Sequence, residues 1–290
     1  MSHPLQASCY ADSAVQCRVE VLENVRLARD TYRLRFACPQ IARRALPGQF
    51  FMLRLAGFDD PLIGRPLALY DTVLDDSGEP TAIDVAYLVK GKLTSRLVNY
   101  RAGQEIEVWG PMGNGFAPRA CEHLIMAAGG IGQTPFPALA REALGLRQYG
   151  DPPRLAPRAE RVTLCYGART GEFLAGVEDF ERLGVDVRLA TDDGSRGHHG
   201  LVTELLERVL DETTLSHRVV CCGPEPMMEA VAGVAANRNA ACQVSLETPM
   251  ACGIGICFTC VARVRDDEGG WDYKRTCVEG PVFDAERIVW

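Results

Sequence analysis

Residues 245–264 read SLETPMACGIGICFTCVARV, and residues 273–283 read YKRTCVEGPVF. Cys252, Cys257 and Cys260 form a C-x4-C-x2-C run, and Cys277 follows after sixteen intervening residues. Plant-type [2Fe–2S] clusters take their thiolates at this spacing. The four residues between the first two cysteines, 253–256, let the backbone wrap one side of a cluster. Gly253 and Gly255 permit close approach and positive φ. Amides in such a loop can donate to sulfides and thiolates, offsetting the cluster's negative charge and tuning its potential. Structural zinc also uses four cysteines, more usually paired two to four residues apart in two knuckles. Here three ligands share one loop and the fourth returns alone, after a predicted hairpin over VARVRDDEGGWDYKR (261–275). An iron–sulfur centre implies one-electron transfer rather than hydrolysis.

The rest of the chain is ordinary in composition. Its 290 residues can bury a large core and predict two or three domains. A formal net charge of -7 argues against nucleic-acid binding, which needs a basic face. No apolar run approaches a transmembrane length, so no membrane insertion is expected. The opening MSHPLQASCYADSAVQC lacks a basic and then apolar leader, which predicts a cytoplasmic protein. In a reducing compartment clustered thiols read as metal ligands. The chain has twelve cysteines. The eight scattered ones are Cys9, Cys17, Cys38, Cys121, Cys165, Cys221, Cys222 and Cys242, and most of them read as small buried hydrophobes.

Three textures follow one another. After an N-terminal extension (1–14), residues 15–118 carry short, partly alternating strands: CRVEVLENV, TYRLRFAC, QFFMLRLA and TAIDVAYLV. No helical period is long enough for βαβ units, so a small antiparallel β-barrel of Greek-key type is expected. The Asp-rich DTVLDDSGEP (71–80) reads as a loop between strands. Residues 119–244 alternate apolar strands (HLIMAAGGIG, RVTLCYGAR, VDVRLATDD, HRVVCCGPE) with helical patterns (TPFPALAREALGL, LVTELLERVL, PMMEAVAGVAANR). That is an α/β nucleotide-binding domain with a mainly parallel sheet, interrupted by a Pro-rich surface loop, YGDPPRLAPRAE. Residues 245–290 form a small C-terminal module that holds the four cysteines.

Two strand-to-helix turns in the α/β region can take a nucleotide. Gly129, Gly130 and Gly132 follow one strand; Cys222, Gly223 and Pro224 follow another. Glycines there admit a phosphate or nicotinamide to the backbone, on the carboxyl side of the sheet where such folds bind ligands. Tight turns and strand-end packing select the same residues. Asp192 and Asp193 disfavour a 2′-phosphate and lean the choice toward NAD. His198 and His199 read as loop residues. In the barrel region, Arg65 lies between a glycine and a proline and can hold a diphosphate bidentately, with Pro66, Leu67 and Ala68 passing a flat ring. Gly91, Thr94 and Ser95 open a short predicted helix and form either a phosphate cradle or a routine cap.

PGQF, GRPLAL, GPMGNGF, GGIGQTPF, TDDGS, CGPEPMM, ETPMACGIGICFTC and YKRTCVEGPVF occur in one order along nearly the whole chain. In that order it resembles the ferredoxin-reductase-like flavoproteins, and among them the electron-transfer subunits of NAD-linked dihydroorotate dehydrogenase. The resemblance implies FAD, one [2Fe–2S] cluster and NAD. Arg65, Pro66, Leu67 and Ala68 would match the flavin motif, Leu88, Val89 and Lys90 would line the flavin, and Gly91, Thr94 and Ser95 would match the phosphate loop. Gly129, Gly130, Gly132, Cys222, Gly223 and Pro224 would match the nucleotide side, and Cys252, Cys257, Cys260 and Cys277 the cluster ligands. It implies an FMN-containing catalytic partner in a heterotetramer. The nucleotide chemistry needs orientation and exclusion of solvent, so no catalytic histidine or carboxylate is expected. Ala68 stands where the family usually has serine, and Leu93 where it commonly has glycine. An NAD(P)H reductase serving another acceptor would carry nearly the same cofactors. A zinc-binding interaction module is an alternative of another class.

Overall fold

The computed structural model describes residues 11–290; the expected extension, apart from its last four residues, and Cys9 lie outside them. Six strands close a barrel: β1 (Val15–Ala28), β2 (Thr31–Ala37), β3 (Phe50–Leu55), β4 (Arg65–Leu74), β5 (Pro80–Leu88) and β6 (Glu105–Met112). Their order is β1-β2-β5-β4-β3-β6, every pairing antiparallel. Closure leaves no bare edge, and inward residues such as Leu34, Phe36, Leu69, Ile83 and Val108 fill the interior. Between strands lie two short helices, α1 (Pro39–Ala42) and α2 (Lys92–Leu97).

One expectation needs correction. Residues 71–80 are not a loop as a whole, because β4 runs through Leu74 and only 75–79 turn. Asp71 is buried, since its charge is compensated from outside the barrel. Arg141 lies 2.6 Å and Arg147 3.0 Å from its carboxylate, and the Tyr149 hydroxyl donates to it at 2.7 Å.

Seven strands make the second layer: β7 (His123–Gly129), β8 (Arg161–Ala168), β9 (Asp186–Thr191), β10 (His198–His199), β11 (His217–Cys222), β12 (Ala241–Ser245) and, after the hairpin of β13 (Val261–Arg265) and β14 (Trp271–Arg275), β15 (Val282–Asp284). The sheet order is β10-β9-β8-β7-β11-β12-β15. All pairs are parallel except β12 with β15. Helices α3 (Phe136–Ala143), α4 (Val177–Glu181), α5 (Val202–Glu212) and α6 (Glu225–Asn237) cover its faces. The strand at His198 is short and was expected as loop; β12 also escaped the sequence pattern. The Pro-rich loop has no regular structure and is pinned by Arg154, which pairs with Glu142 and donates to the Phe116 carbonyl at 3.0 Å.

The cysteine region is stitched to both layers. β15 adds an antiparallel edge to the nucleotide sheet. Asn114, just past β6, donates to the Val282 carbonyl at 2.7 Å and accepts from the Val282 amide at 3.1 Å. No helix among the described residues is long and apolar enough to cross a membrane.

Candidate functional site: three adjoining cofactor regions

The sheet reverses its winding between β7 and β11. From β7 the chain moves outward through β8 and β9, then returns to β11 on the other side. Open α/β sheets bind ligands at such a switch point, beyond the carboxyl ends of the strands. The two glycine turns flank it, with Ala128 opposite Cys222 in register. A Cβ on Gly132 would stand 2.2 Å from the Cys222 carbonyl oxygen, and one on Gly223 would stand 3.0 Å from the Gly129 amide. At Gly129 the obstacle is Met227 Sδ, 2.4 Å away. These three glycines therefore let turn pack on turn. Gly130 differs: its φ is +55° and nothing stands within 4 Å of its missing side chain. It faces open space in a conformation that favours glycine.

Cys222 is half-buried, and burial pushes its thiol up to about 12, with Glu247 adding to the effect. It stays neutral at pH 7. Pro224 is exposed at the start of α6. The Asp193 carboxylate is held by Ser195, whose hydroxyl donates at 2.6 Å and whose amide donates at 3.0 Å, which keeps it below the usual carboxylate range. It is engaged in its own turn rather than projecting alone. His198 pairs with Glu204 at 2.6 Å.

On the barrel, Arg65, Pro66, Leu67 and Ala68 form a half-buried strip at the start of β4. Arg65 Nη1 donates to the Ile63 and Gly64 carbonyls at 2.9 and 3.0 Å. Leu88 and Val89 are half-buried beside the exposed Lys90. The Thr94 hydroxyl accepts from the Lys90 and Gly91 amides at 3.0 and 3.1 Å. That is a helix cap, so Thr94 and two of the amides expected to cradle a phosphate satisfy one another; Ser95 is exposed. Leu93 is buried in the barrel core, which gives the departure from glycine a packing role.

The cysteine loop lies on the barrel. Gly253 and Gly255 have φ of +74° and +79°. A Cβ on Gly253 would meet Met52 at 2.6 Å, and one on Gly255 would meet Val278 at 3.1 Å. Phe50, Met52 and Met112 of the barrel pack with Cys260, Cys277 and Val278 in one apolar cluster. The hairpin β13–β14 forms as expected and returns Cys277 to Cys260: the Thr276 amide and hydroxyl both donate to the Cys260 carbonyl at 2.9 Å. Buried Arg275 donates to the Gly255 carbonyl at 3.0 Å and is itself braced by Glu279. The Ile254 amide donates to Cys252 Sγ at 3.4 Å.

Hydrogen bonding from Cys277 brings Cys260 down to about 6 and pushes Cys277 up. Cys257, though desolvation opposes it, is lowered to about 6 by hydrogen bonds from Thr259 and Cys252. Among the described residues no three His, Cys, Asp or Glu side chains converge as one metal ion requires. Three thiols on one loop, with a fourth that the hairpin returns beside Cys260, suit a cluster of two irons, each held by two cysteines. Sequence reasoning missed Trp109, which bonds the Cys252 carbonyl, and Asn114 and Arg275 as supports of the cysteine region, because each bonds residues distant in the chain.

The three regions adjoin. On β3, Met52 is flanked by Pro66 of β4 and Trp109 of β6, and its side chain touches the Gly253 position. The turn after β7 contacts β5, and α3 contacts β4. Around the barrel β4, whose first residues carry the flavin motif, therefore lies between β5, which the nucleotide turn contacts, and β3, which the cysteine loop contacts.

Three family models match the chain consecutively: an oxidoreductase FAD-binding domain at 18–116, an oxidoreductase NAD-binding domain at 126–233, and the iron–sulfur cluster binding domain of dihydroorotate dehydrogenase B at 247–289. The chain is 34% identical over 273 residues to the electron transfer subunit of dihydroorotate dehydrogenase B (NAD(+)) from Caldanaerobacter subterraneus subsp. tengcongensis, covering 94% of this chain and 98% of that one. The subunit of the same name from Desulforamulus reducens is 34% identical, over 93% and 97%. Among solved structures, an NADH-dependent reduced ferredoxin-NADP oxidoreductase superposes with a TM-score of 0.77 at 27% identity, over 94% of this chain and 90% of that one. The chain belongs to the family of dihydroorotate dehydrogenase B electron-transfer subunits.

Proposed function

We propose that this chain carries electrons between NAD and a catalytic partner subunit that oxidises dihydroorotate to orotate. The observation that supports the reading is that nucleotide turn and cysteine loop both sit on the barrel that carries the flavin motif, the turn on β5 and the loop on β3, the two strands that flank β4. FAD supplies the exchange between a two-electron hydride and single electrons, and a [2Fe–2S] cluster supplies one-electron relay.

The chain's own residues bind and orient. Gly130 opens the backbone to the nucleotide at the sheet's switch point, beside Cys222, Gly223 and Pro224. Arg65 would hold the flavin's diphosphate, with Pro66, Leu67, Ala68, Leu88, Val89 and Lys90 along the ring and Gly91, Thr94 and Ser95 near the phosphates. Of this last set, Ser95 is the exposed hydroxyl, because Thr94 caps α2. Cys252 and Cys257 would take one iron, Cys260 and Cys277 the other. No side chain is needed as acid or base, since orientation and exclusion of water suffice.

The partner, proposed to carry FMN and to pair with this chain in a heterotetramer, would dock over the cysteine loop. Leu62, Ile63 and Ile256 are exposed there and line a groove of about 620 Å³ with Cys252 and Trp109, and Phe258 is exposed on the same loop. Contiguous exposed apolar surface of this kind marks interaction sites. A second reading, a reductase serving a ferredoxin-like acceptor, is favoured by the likeness to the ferredoxin-NADP oxidoreductase. Anaerobic spectra separate the two. Dihydroorotate should bleach the flavin and cluster bands only when the catalytic subunit is present. Bleaching by NADH, but never by dihydroorotate in the complex, would leave the second reading standing.

A further inference from the structure

The cysteine loop has few anchors of its own. Among the described residues, segment 247–257 makes no backbone–backbone hydrogen bond. Two side chains from outside it hold its carbonyls. Arg275, within the cysteine region, takes Gly255, and Trp109, from the barrel, takes Cys252 with its indole N–H at 3.0 Å.

Trp109 reaches further than that bond. Its ring edge, at Cη2, lies 2.7 Å from where a Cβ on Gly64 would stand, so only glycine leaves room for the indole. Gly64 immediately precedes Arg65, and its carbonyl accepts from Arg65 Nη1. One half-buried indole thus rests on the entrance of the flavin-motif strand at one edge and bonds the first cluster cysteine at the other. Its backbone is fixed by register, opposite Met52 on β3 and Gln16 on β1.

We infer that Trp109 is a positioning residue that fixes the Cys252 end of the cysteine loop against the flavin-motif strand. The inference rests on the reading that the four cysteines hold a [2Fe–2S] cluster. Groups that orient a metal's ligands are worth about 10- to 100-fold in metal affinity, since a ligand left to wander must be ordered when the metal binds.

The test replaces Trp109 in the full chain in two ways. Trp109→Phe removes the donor and part of the ring. Site-specific incorporation of 3-benzothienylalanine keeps the ring and replaces only the N–H. Each protein is reconstituted anaerobically with iron and sulfide. Loss of cluster absorbance to an iron chelator is timed, and the paramagnetic resonance line shape of the dithionite-reduced cluster is recorded. Both variants should lose the cluster about tenfold faster than the unaltered protein, with a changed line shape. Wild-type release and line shape in the benzothienyl variant would overturn the inference, and that variant decides even if Trp109→Phe fails to fold. If the unaltered chain takes up no cluster, the underlying reading falls as well, and that outcome is visible without either variant.

Discussion

A methyl group on Gly132 would stand 2.2 Å from the carbonyl oxygen of Cys222, although ninety residues separate them in the chain. The two turns that flank the switch point are locked together by the absence of one side chain. Gly132→Ala must push backbone against backbone, and overpacking of this kind costs about 2 kcal/mol. Chemical denaturation should show that loss, and NADH should bind more weakly because the turns separate. Gly130→Ala meets no atom and costs only its left-handed backbone, about 1 kcal/mol. Equal stability and equal NADH affinity in Gly132→Ala would contradict the account.

Asp71 ties the barrel to the nucleotide layer. It is buried on β4 and engages Arg141, Arg147 and Tyr149, all from beyond the barrel. Asp71→Asn leaves two guanidinium groups without their counter-charge, and breaking such a pair costs about 3 kcal/mol. A urea midpoint close to that of the parent would mean the ion pairs do not join the layers.

His123 makes the sheet acid-sensitive. It is fully buried on β7, with Nδ1 2.9 Å from the Thr213 hydroxyl and Nε2 2.8 Å from that of Thr163. Burial, with help from Arg161, lowers its pKa from 6.5 to about 4. The unfolded chain therefore binds a proton that the folded chain refuses between pH 6.5 and 4. Stability from this group is complete above pH 6.5 and is lost as pH falls through that window, to about 3 kcal/mol. His123→Gln should flatten this part of the stability–pH curve. An unchanged slope would assign the acid lability elsewhere.

Cys277→Ser should separate the cofactors. Cys277 is buried and follows the hairpin, whereas the flavin-motif strand belongs to the closed barrel. The variant should lose the iron–sulfur absorbance and most of its iron, yet keep FAD and its reduction by NADH. Full iron content in the variant would remove Cys277 from the proposed ligand set.

What could be read from the sequence was local. The cysteine spacing, the hairpin between Cys260 and Cys277, and the positive φ of Gly253 and Gly255 all follow from a few adjacent residues. The barrel and parallel sheet followed from strand texture and its alternation with helices. Contacts made across the chain stayed hidden. Asp71 looked like part of an acidic loop because its cationic partners lie seventy residues or more away. The glycine turns pointed to a ligand, while three of their glycines serve the packing of one turn on another. Thr94 carried both a cap and a cradle reading, and only the positions of the Lys90 and Gly91 amides show the cap. Trp109 had no local signal, since the carbonyl it holds is 143 residues away.

The most direct test of the relay is an anaerobic titration of the purified chain with NADH, followed by visible absorbance. FAD takes two electrons and a [2Fe–2S] cluster one, so both sets of bands should bleach together, with an endpoint at about 1.5 NADH per chain. A flavin that bleaches fully at about one NADH beside an unreduced cluster would contradict the account, and so would a colourless chain that does not oxidise NADH.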